Sequence, residues 1–439
     1  MKILIVSTPA IGHINPLLGI GRVLIAEGHD VAVLSGSVMR TRIEAIGATF
    51  RALPEKADID LRNIAEAFPE IKTLSPGPEL SRFYFERVFI DPSIPQREGI
   101  RQVLRDFPAD VIIAGSLFLG ALLMLLGPRS DRPAIVICGT TPLLWHRDDG
   151  APLVSTLPPA ASDAQRREYA ALSEGYSKDF TMPVGEYLNR CLAAIGIAPL
   201  SMDILDAIVS RPDGYLQLTV PSFEFPRKDI PASVHFIGAL PIVPNQAPLP
   251  SWANELDGSR KVVLVTQGTQ ANHDFGQLII PTLAALANEP DLLVVATAGG
   301  RPVDAIPGPI PSNARLASYL PFEWALAKAD LFVTNGGYGS VNQALSFGVP
   351  LVTAGVTEDK GIVGARVAWS GVGINLATNE PTPDALLEAV RAVLDEPNYK
   401  AHALAMAKEF ASIDTRSEIL RILEQVSGIP GVDKGRRIA

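Results

Sequence analysis

Residues 328–360, KADLFVTNGGYGSVNQALSFGVPLVTAGVTEDK, hold the pattern that decides the fold. The apolar run at 329–334 predicts a buried strand, and the glycine-rich segment at 335–339 predicts a turn. Residues 340–345 have helical spacing, and a second apolar run at 350–354 predicts the next strand. A strand, a glycine turn, a helix and a further strand in this order favour an α/β fold with a parallel sheet.

The turn and the start of the following helix predict an anion site. Glycine lets a ligand approach the backbone closely, and the first N–H groups of a helix have no partner within the helix. Those donors and the helix dipole favour a phosphate. The next strand ends beside the same crevice, so Glu358, Asp359 and Lys360 can reach the group that the phosphates carry.

The segments NGGYGSVNQAL, GVPLV, TEDK and Gly371-Val372-Gly373 resemble the nucleotide-sugar-binding signature of UDP-glycosyltransferases. Members of that family are inverting enzymes of the two-domain GT-B fold. The resemblance implies that the turn, the helix start and the polar triplet bind the donor. The donor-binding residues are then Asn335, Gly337, Tyr338, Gly339, Ser340, Gln343, Glu358, Asp359 and Lys360.

Three positions depart from the family pattern. Asn335 replaces a histidine, Gln343 replaces a glutamate, and Asp359-Lys360 replaces Asp-Gln. Lys360 is the largest change, because it places a cation where a neutral amide normally meets the sugar. The resemblance implies UDP-glucose as donor, and Lys360 makes a deoxysugar on dTDP a rival.

Composition limits the class of protein. A chain of 439 residues is too long for one ordinary core, so two domains are expected. A net charge of −9 without a block of basic residues argues against nucleic acid as a partner. The two cysteines, Cys138 and Cys191, form no CxxC pair, which favours a reduced, cytoplasmic chain without structural zinc.

No segment predicts a targeting signal or a membrane span. The apolar start of the chain at residues 1–6 is too short for the core of a signal peptide. The longest apolar run, 117–127, is shorter than the ~20 residues that cross a bilayer. We therefore expect no integral membrane segment.

The amino terminus predicts the first βαβ unit of a doubly wound sheet. Residues 2–7 and 31–34 are the two strands, and Asn15 is expected to cap the helix between them, with Pro16 at its first position. His13 then lies in a loop at the carboxyl end of the first strand, where open parallel sheets bind ligands.

The loop GHINP, residues 12–16, resembles the family's G-H-x-x-P loop, whose histidine is the catalytic base. The resemblance implies that role for His13 and a place beside the donor for Gly12. An unperturbed histidine pKa near ~6.5 suits a base at neutral pH.

A strand predicted at 110–114 ends at Gly115 and Ser116. In relatives an aspartate at this strand end orients the catalytic histidine, and Gly115 occupies that position here. Ser116 either orients His13, directly or through a water, or is a helix cap. Both interpretations stay open.

The acceptor side is predicted from two groups of residues. The aromatic cluster that includes Phe83 and Phe85 either packs between helices or forms one wall of an apolar acceptor pocket. Thr141, Trp145 and His146 follow a strand at 133–138 and are either acceptor-side residues or parts of a plain loop. Residues 150–195 predict an insertion that lies over the cleft.

The second half of the chain restarts the α/β pattern after the proline-rich segment PIVPNQAPLPS. The predicted domains are an N-terminal acceptor-binding domain at 1–240, a linker at 241–252 and a nucleotide-sugar-binding domain at 253–412. Residues 413–439 are expected to form a helix that crosses back to the first domain, and a tail.

Three further donor-side residues follow from the resemblance. Thr269 resembles a serine or threonine that contacts the donor phosphates. Tyr319 and Phe322 lie in a segment that resembles the family's W-x-P-Q, so they either flank the nucleotide base or pack in the core.

The resemblance therefore implies a GT-B protein with two Rossmann-like, doubly wound domains that face each other across a cleft. It would move a sugar from a nucleotide diphosphate sugar to a hydroxyl of a small lipophilic acceptor, with an aromatic one favoured. The nucleotide sugar is a co-substrate, and neither a metal nor another cofactor is expected.

Two alternatives remain open: a GT-B sugar epimerase, and a non-catalytic binding or partner protein with a weakened catalytic dyad. The GHINP loop argues against the epimerase. Gly115 supports the non-catalytic protein, and His13 opposes it. An NAD-dependent oxidoreductase is disfavoured, because the first βα loop is PAIGHINP and not G-x-G-x-x-G.

Overall fold

The strands form two separate sheets, one in each half of the chain. The computed structural model describes residues 1–75, 77–242, 248–268 and 272–429. Within these ranges the first sheet consists of β1 Lys2–Val6, β2 Asp30–Ser35, β3 Thr49–Ala52, β4 Val111–Gly115, β5 Ala134–Gly139, β6 Gly214–Gln217 and β7 Val234–Phe236. The second consists of β8 Lys261–Thr266, β9 Leu292–Thr297, β10 Ala314–Ala317, β11 Leu331–Thr334, β12 Leu351–Thr353 and β13 Gly373–Asn375.

Both sheets are parallel and doubly wound. The first has the order β3-β2-β1-β4-β5-β6-β7 and the second the order β10-β9-β8-β11-β12-β13. Their central strands are buried on both faces, as is typical of parallel sheets covered by helices. The predicted fold of two Rossmann-like domains is confirmed.

Helices cover both sheets. Those of the first domain are α1 Ile11–Ala26, α2 Arg40–Glu44, α3 Ile64–Ala67, α4 Pro78–Phe83, α5 Ser93–Asp106, α6 Leu119–Leu125, α7 Asp163–Tyr176, α8 Met182–Ala194 and α9 Ile204–Ser210. Those of the second half are α10 Ile279–Ala285, α11 Phe322–Leu326, α12 Tyr338–Ser346, α13 Lys360–Trp369, α14 Pro383–Asp395, α15 Pro397–Ala411 and α16 Thr415–Ser427.

Each sheet has one position where the strand order reverses. In the first sheet it lies between β1 and β4, and in the second between β8 and β11. Ligands of open α/β sheets bind outside the carboxyl ends of the strands at such a position. The polar segments that follow these four strands therefore mark two facing halves of one cleft.

The first helix begins earlier than the sequence predicted. Its N-cap is Ala10 and not Asn15, and the Ile14 N–H donates to the Ala10 carbonyl at 3.0 Å. Pro16 lies inside the helix. The physical reason is that Ile14 is fully buried in the core, so the buried face of the helix already starts before the proline. His13 is consequently part of the first helical turn and not of a loop.

The last helix lies on the first domain. Ile419, Ile422 and Leu423 of α16 are fully buried, and the Thr415 hydroxyl donates to the Ala239 carbonyl at 3.1 Å. One hydrophobic cluster contains residues of both domains, for example Ile5 of β1 and Phe332 of β11. Of the predicted linker and tail, residues 243–247 and 430–439 lie outside the described residues.

Candidate active site in the interdomain cleft

The start of α12 has the backbone geometry expected of the predicted anion site. Gly336 has φ +89°, a left-handed conformation that glycine adopts without strain, and Gly337 is the N-cap. The first internal bond of the turn runs from Val341 N–H to the Gly337 carbonyl at 3.0 Å. Within the described residues, the N–H groups of Tyr338, Gly339 and Ser340 have no acceptor. They are available to a phosphate.

The Tyr338 side chain does not belong to the donor site. It is buried, and its hydroxyl accepts a hydrogen bond from Gln217 Nε2 of the first domain at 2.5 Å. Tyr338 can therefore offer a donor only its backbone N–H. Its ring and hydroxyl join the two domains, because the first residue of α12 faces β6.

Asn335 and Gln343 differ in how much of each side chain is free. Asn335 Nδ2 donates to the Gln267 carbonyl at 2.9 Å, which links the ends of β11 and β8. Gln343 is half-buried, and its amide forms no hydrogen bond within the part of the chain that the structure describes. The Gln343 amide is thus free to bind a donor.

The polar triplet forms the loop between β12 and α13. Lys360 is buried, and its ammonium pairs with the Glu358 carboxylate and lies 3.5 Å from the Thr357 hydroxyl. The cation predicted to meet the sugar is therefore already neutralised. Glu358 has φ +56° and a side chain that is 76% exposed. Burial raises the pKa of Asp359 to about 6, and Lys360 opposes this effect.

His13 lies opposite this loop. The imidazole is in contact range of Phe89, with ring centroids 6.1 Å apart, and its Nδ1 is buried without a hydrogen-bond partner among the described residues. Burial lowers the pKa of His13, and the negative charge of Glu358 partly opposes that shift. The predicted base is therefore held mainly as the neutral form that can accept a proton.

The position of the missing aspartate is clear from the structure. A Cβ at Gly115 would point at Leu17 of α1, at 3.4 Å from Cδ1, one helical turn beyond His13. Ser116 is buried, and its hydroxyl lies 3.4 Å from that of Thr140. No hydrogen bond joins Ser116 to His13 within the described ranges, so a direct orienting role is not what the geometry shows.

An aromatic row leads away from His13. Phe89 is followed by Phe85 at 5.7 Å, and Phe85 by Phe180 at 5.1 Å. Phe180 in turn lies 5.1 Å from Tyr176. Phe85 and Phe89 belong to the π-helical turn Tyr84–Ile90, and Phe180 to the π-helical turn Ser177–Thr181. Such turns occur frequently at functional sites.

Phe83 is not part of this row. Its ring packs edge-on against Phe68 at 5.9 Å. The insertion predicted over the cleft does reach the donor side, because the Thr156 methyl bounds the space above Gly361 in the first turn of α13. Phe85 thus belongs to the row that starts beside His13, and Phe83 packs elsewhere.

Trp145 and His146 serve the packing of the first domain. Trp145 is buried, and its Nε1 donates to the Asp229 carbonyl at 2.9 Å. His146 Nδ1 lies 3.2 Å from the Asp206 carboxylate of α9. Trp145 Nε1 and His146 Nδ1 thus have partners within the first domain, which favours the plain-loop interpretation of these two residues. The carbonyl of Thr141 accepts from Gln217 Nε2 at 2.9 Å, which places Thr141 beside the domain contact.

The remaining residues predicted on the donor side differ in how they pack and in how exposed they are. Phe322 packs edge-on against Phe332 at 5.7 Å, so its core interpretation is the one the structure shows. Tyr319 is half exposed and available to a base. Gly12 is exposed, with open space where a side chain would be. Thr269 lies outside the described residues.

A buried ionic contact that the sequence did not reveal joins the domains. The Glu224 carboxylate accepts from Arg366 of α13 at 2.9 Å and from Arg227 at 3.3 Å, and the Leu143 N–H donates to it at 2.7 Å. Beside it, Thr219 and Asn342 are hydrogen-bonded across the same interface. Both helices that begin at the donor side, α12 and α13, are thereby fixed to the first domain.

Known proteins resemble the chain over almost its whole length. It is 36% identical over 427 residues to 4'-demethylrebeccamycin synthase from Lentzea aerocolonigenes, covering 96% of this chain and 99% of the relative. It is 37% identical to UDP-glycosyltransferase 2 from Phaeomoniella chlamydospora, covering 97% and 95%. The chain belongs to the UDP-glycosyltransferase family. It is a glycosyltransferase, of the kind that acts on small molecules.

Other comparisons agree with this assignment. Residues 282–426 match the model of the erythromycin biosynthesis protein CIII-like C-terminal domain. The crystal structure of the calicheamicin glycosyltransferase CalG4 has a TM-score of 0.72 at 19% identity, covering 98% of this chain and 99% of that one. The spinosyn rhamnosyltransferase SpnG complexed with thymidine diphosphate has a TM-score of 0.69 at 17% identity, covering 97% and 100%. These likenesses establish the GT-B fold.

Membership of the family favours a transferase over the epimerase and over the non-catalytic protein. Among the helices described, none combines the length and the apolar character that a membrane crossing requires.

Proposed function

We propose that this glycosyltransferase moves a sugar from a nucleoside diphosphate to a hydroxyl of a small aromatic acceptor, with inversion at the anomeric carbon. The observation that carries the proposal is the position of His13. Its unpartnered imidazole lies at the end of an aromatic row and opposite the loop that carries Glu358, in the cleft where α12 presents free N–H groups.

The chemistry follows from that arrangement. His13 accepts the proton of the acceptor hydroxyl while the oxygen attacks the anomeric carbon. The bond from that carbon to the phosphate oxygen breaks, and the diphosphate leaves with the electron pair. The N–H groups of Tyr338, Gly339 and Ser340 stabilise the charge that develops on it. We include no metal ion in this step.

The aromatic row supports an aromatic acceptor. Phe89 and Phe85 offer ring faces and edges next to the base, and aromatic pairs prefer offset or edge-on arrangements. A planar acceptor could stack there with its hydroxyl at His13. The relatives' names support either nucleotide, since some are UDP-glucosyltransferases and a structural neighbour binds thymidine diphosphate. We keep UDP-glucose and a dTDP-deoxysugar as the two donor candidates.

The test is a donor panel. The purified protein is incubated with UDP- and dTDP-sugars and a mixed set of phenolic acceptors, and product masses are followed. We expect one sugar to be added, and His13→Ala to lower turnover by ~10²-fold or more.

His146→Ala is the matched control, because His146 pairs with Asp206 of α9 within the first domain and should leave turnover unchanged. A near-normal rate for His13→Ala would contradict the role of His13 as base. Consumption of donor without an acceptor would instead favour the epimerase.

A further inference from the structure

Two buried hydrogen-bonded contacts tie the first turn of α12 to the first domain. In one of them, Gln217 Nε2 donates to the Tyr338 hydroxyl at 2.5 Å and to the Thr141 carbonyl at 2.9 Å. In the other, the Thr219 hydroxyl donates to Asn342 Oδ1 at 2.5 Å. Apart from Thr141, each of these residues is at most 4% exposed. The helix is therefore held by its first residue and again one turn later.

The direction of these hydrogen bonds is fixed by the atoms involved. The Thr141 carbonyl can only accept, so the Gln217 atom that meets it is the amide nitrogen, and both protons of that nitrogen are used. Asn342 Nδ2 donates to the Tyr338 carbonyl at 2.9 Å, so its Oδ1 is the atom that accepts from Thr219. A shift of α12 would leave buried donors and acceptors without partners, which is unfavourable. The contacts therefore favour one register of the helix against the first sheet.

The turn held in this way carries the N–H groups that we assign to the diphosphate. Those of residues 338–340 have no acceptor within the described ranges. Gln217 is the last residue of β6 and lies at the carboxyl edge of the first sheet, the edge at which β1 leads into α1 and His13. The contact between Gln217 and Tyr338 thus joins the sheet that positions the base to the helix that positions the N–H groups.

Apolar packing alone would not fix this register. Val341, Ala344 and Leu345 of α12 are fully buried in the cluster that both domains share, but hydrophobic burial has no preferred direction. A hydrogen bond accepts only a narrow range of distances and angles. Because a misplacement of ~1 Å can lower a catalytic rate by ~100-fold, such directional contacts have a use beyond stability.

We propose that Gln217 and Thr219 are positioning residues of the first domain, which hold the diphosphate-binding turn of α12 in the place that sugar transfer to an acceptor at His13 requires. The inference rests on the proposed function. The two residues act through Tyr338 and Asn342, with which they are buried. Since the N–H groups themselves belong to the second domain, the contacts affect kcat and leave the affinity for the nucleotide unchanged.

The first experiment needs no substrate. Amide hydrogen exchange is followed by mass spectrometry in the full-length parent protein, in Tyr338→Phe and in Gln217→Met. We expect faster exchange in residues 214–220 and 338–345 of both variants, because the contact opens more often, and unchanged exchange in β1 and β8. Parent-like exchange on both sides of the contact in both variants would overturn the proposal, whatever the protein's activity.

Tyr215→Phe is the matched control for this experiment. Tyr215 lies on the same strand as Gln217, and its buried hydroxyl has no hydrogen-bond partner among the residues that the structure describes. Removing that hydroxyl should leave both the exchange and kcat as they are in the parent protein.

The second experiment compares turnover with binding. Tyr338→Phe should lower kcat by ~10-fold or more, whereas the Kd values of UDP and of dTDP, measured by calorimetry, should stay at those of the parent protein. A parent-like kcat in a variant with faster exchange would overturn the proposal, because the contact would then hold the domains together without positioning the reacting groups.

The double variant Gln217→Met/Tyr338→Phe separates positioning from stability. Replacing both hydrogen-bonding partners by apolar groups of similar shape can be nearly neutral for stability, so its urea midpoint should be close to that of the parent protein. Its kcat should remain low, because no directional contact is restored. Recovery of kcat together with stability would overturn the proposal. A parent protein that transfers no sugar, although its variants show the expected exchange, would contradict the proposed function alone.

Discussion

At the scale of single residues, the raised pKa of Asp359 predicts that donor binding depends on pH, which can be measured without turnover. Burial raises the pKa of its carboxyl to about 6, so the group gains a proton as the pH falls through that value. A protonated carboxyl has lost part of its capacity to accept hydrogen bonds from sugar hydroxyls. We expect the donor Kd to rise below pH 6, as measured by calorimetry between pH 5 and 8. In Asp359→Asn the affinity should be weak and independent of pH, and a flat profile in the parent protein would contradict the assignment.

The sequence predicted which residues are candidates for the site better than it predicted the contacts of their side chains. The sequence identified His13, the α12 turn and the triplet, because glycine and charge patterns are local signals. It could not show that Lys360 is neutralised by Glu358, that Tyr338 turns to Gln217, or that Trp145 and His146 have local partners. Each of these depends on a side-chain direction that only the folded backbone determines.

At the scale of elements, the contact between α13 and the first domain predicts a large effect from one buried substitution. Arg366→Met removes one of the two arginines that pair with the Glu224 carboxylate, which stays buried beside Arg227. Breaking a buried ion pair typically costs ~3–5 kcal/mol, so we expect the free energy of unfolding to fall by about that amount. Urea denaturation of the two proteins measures it.

The matched control is Arg421→Met, which removes an exposed pair with Glu418 on α16. Exposed pairs contribute ~1 kcal/mol or less, so this variant should be close to the parent. Equal decreases in the free energy of unfolding for the two variants would show that the buried ion pair contributes no more to stability than the exposed one.

The elements themselves were predicted wherever apolar periodicity was strong. The strands β1, β4 and β11 lie close to their predicted bounds, and α16 lies within the range predicted for the last helix. The start of α1 was misplaced, because Asn15-Pro16 has the local pattern of a helix start while the buried Ile14 extends the helix towards Ala10. The Glu224–Arg366 contact gave no sequence signal, since its partners are far apart in the chain and belong to different domains.

At the scale of the whole molecule, the two domains should unfold as one unit. A hydrophobic cluster contains residues of both sheets, α16 of the second half packs on the first domain, and a buried ionic contact links Glu224 to α13. Unfolding either domain alone would expose this shared surface and leave buried charges without partners. We therefore expect one cooperative transition in urea, with coincident curves from variants that retain only Trp145 in the first domain or only Trp369 in the second. Two resolved transitions in the parent protein would contradict this prediction, because they would mean that the shared cluster does not couple the unfolding of the two domains.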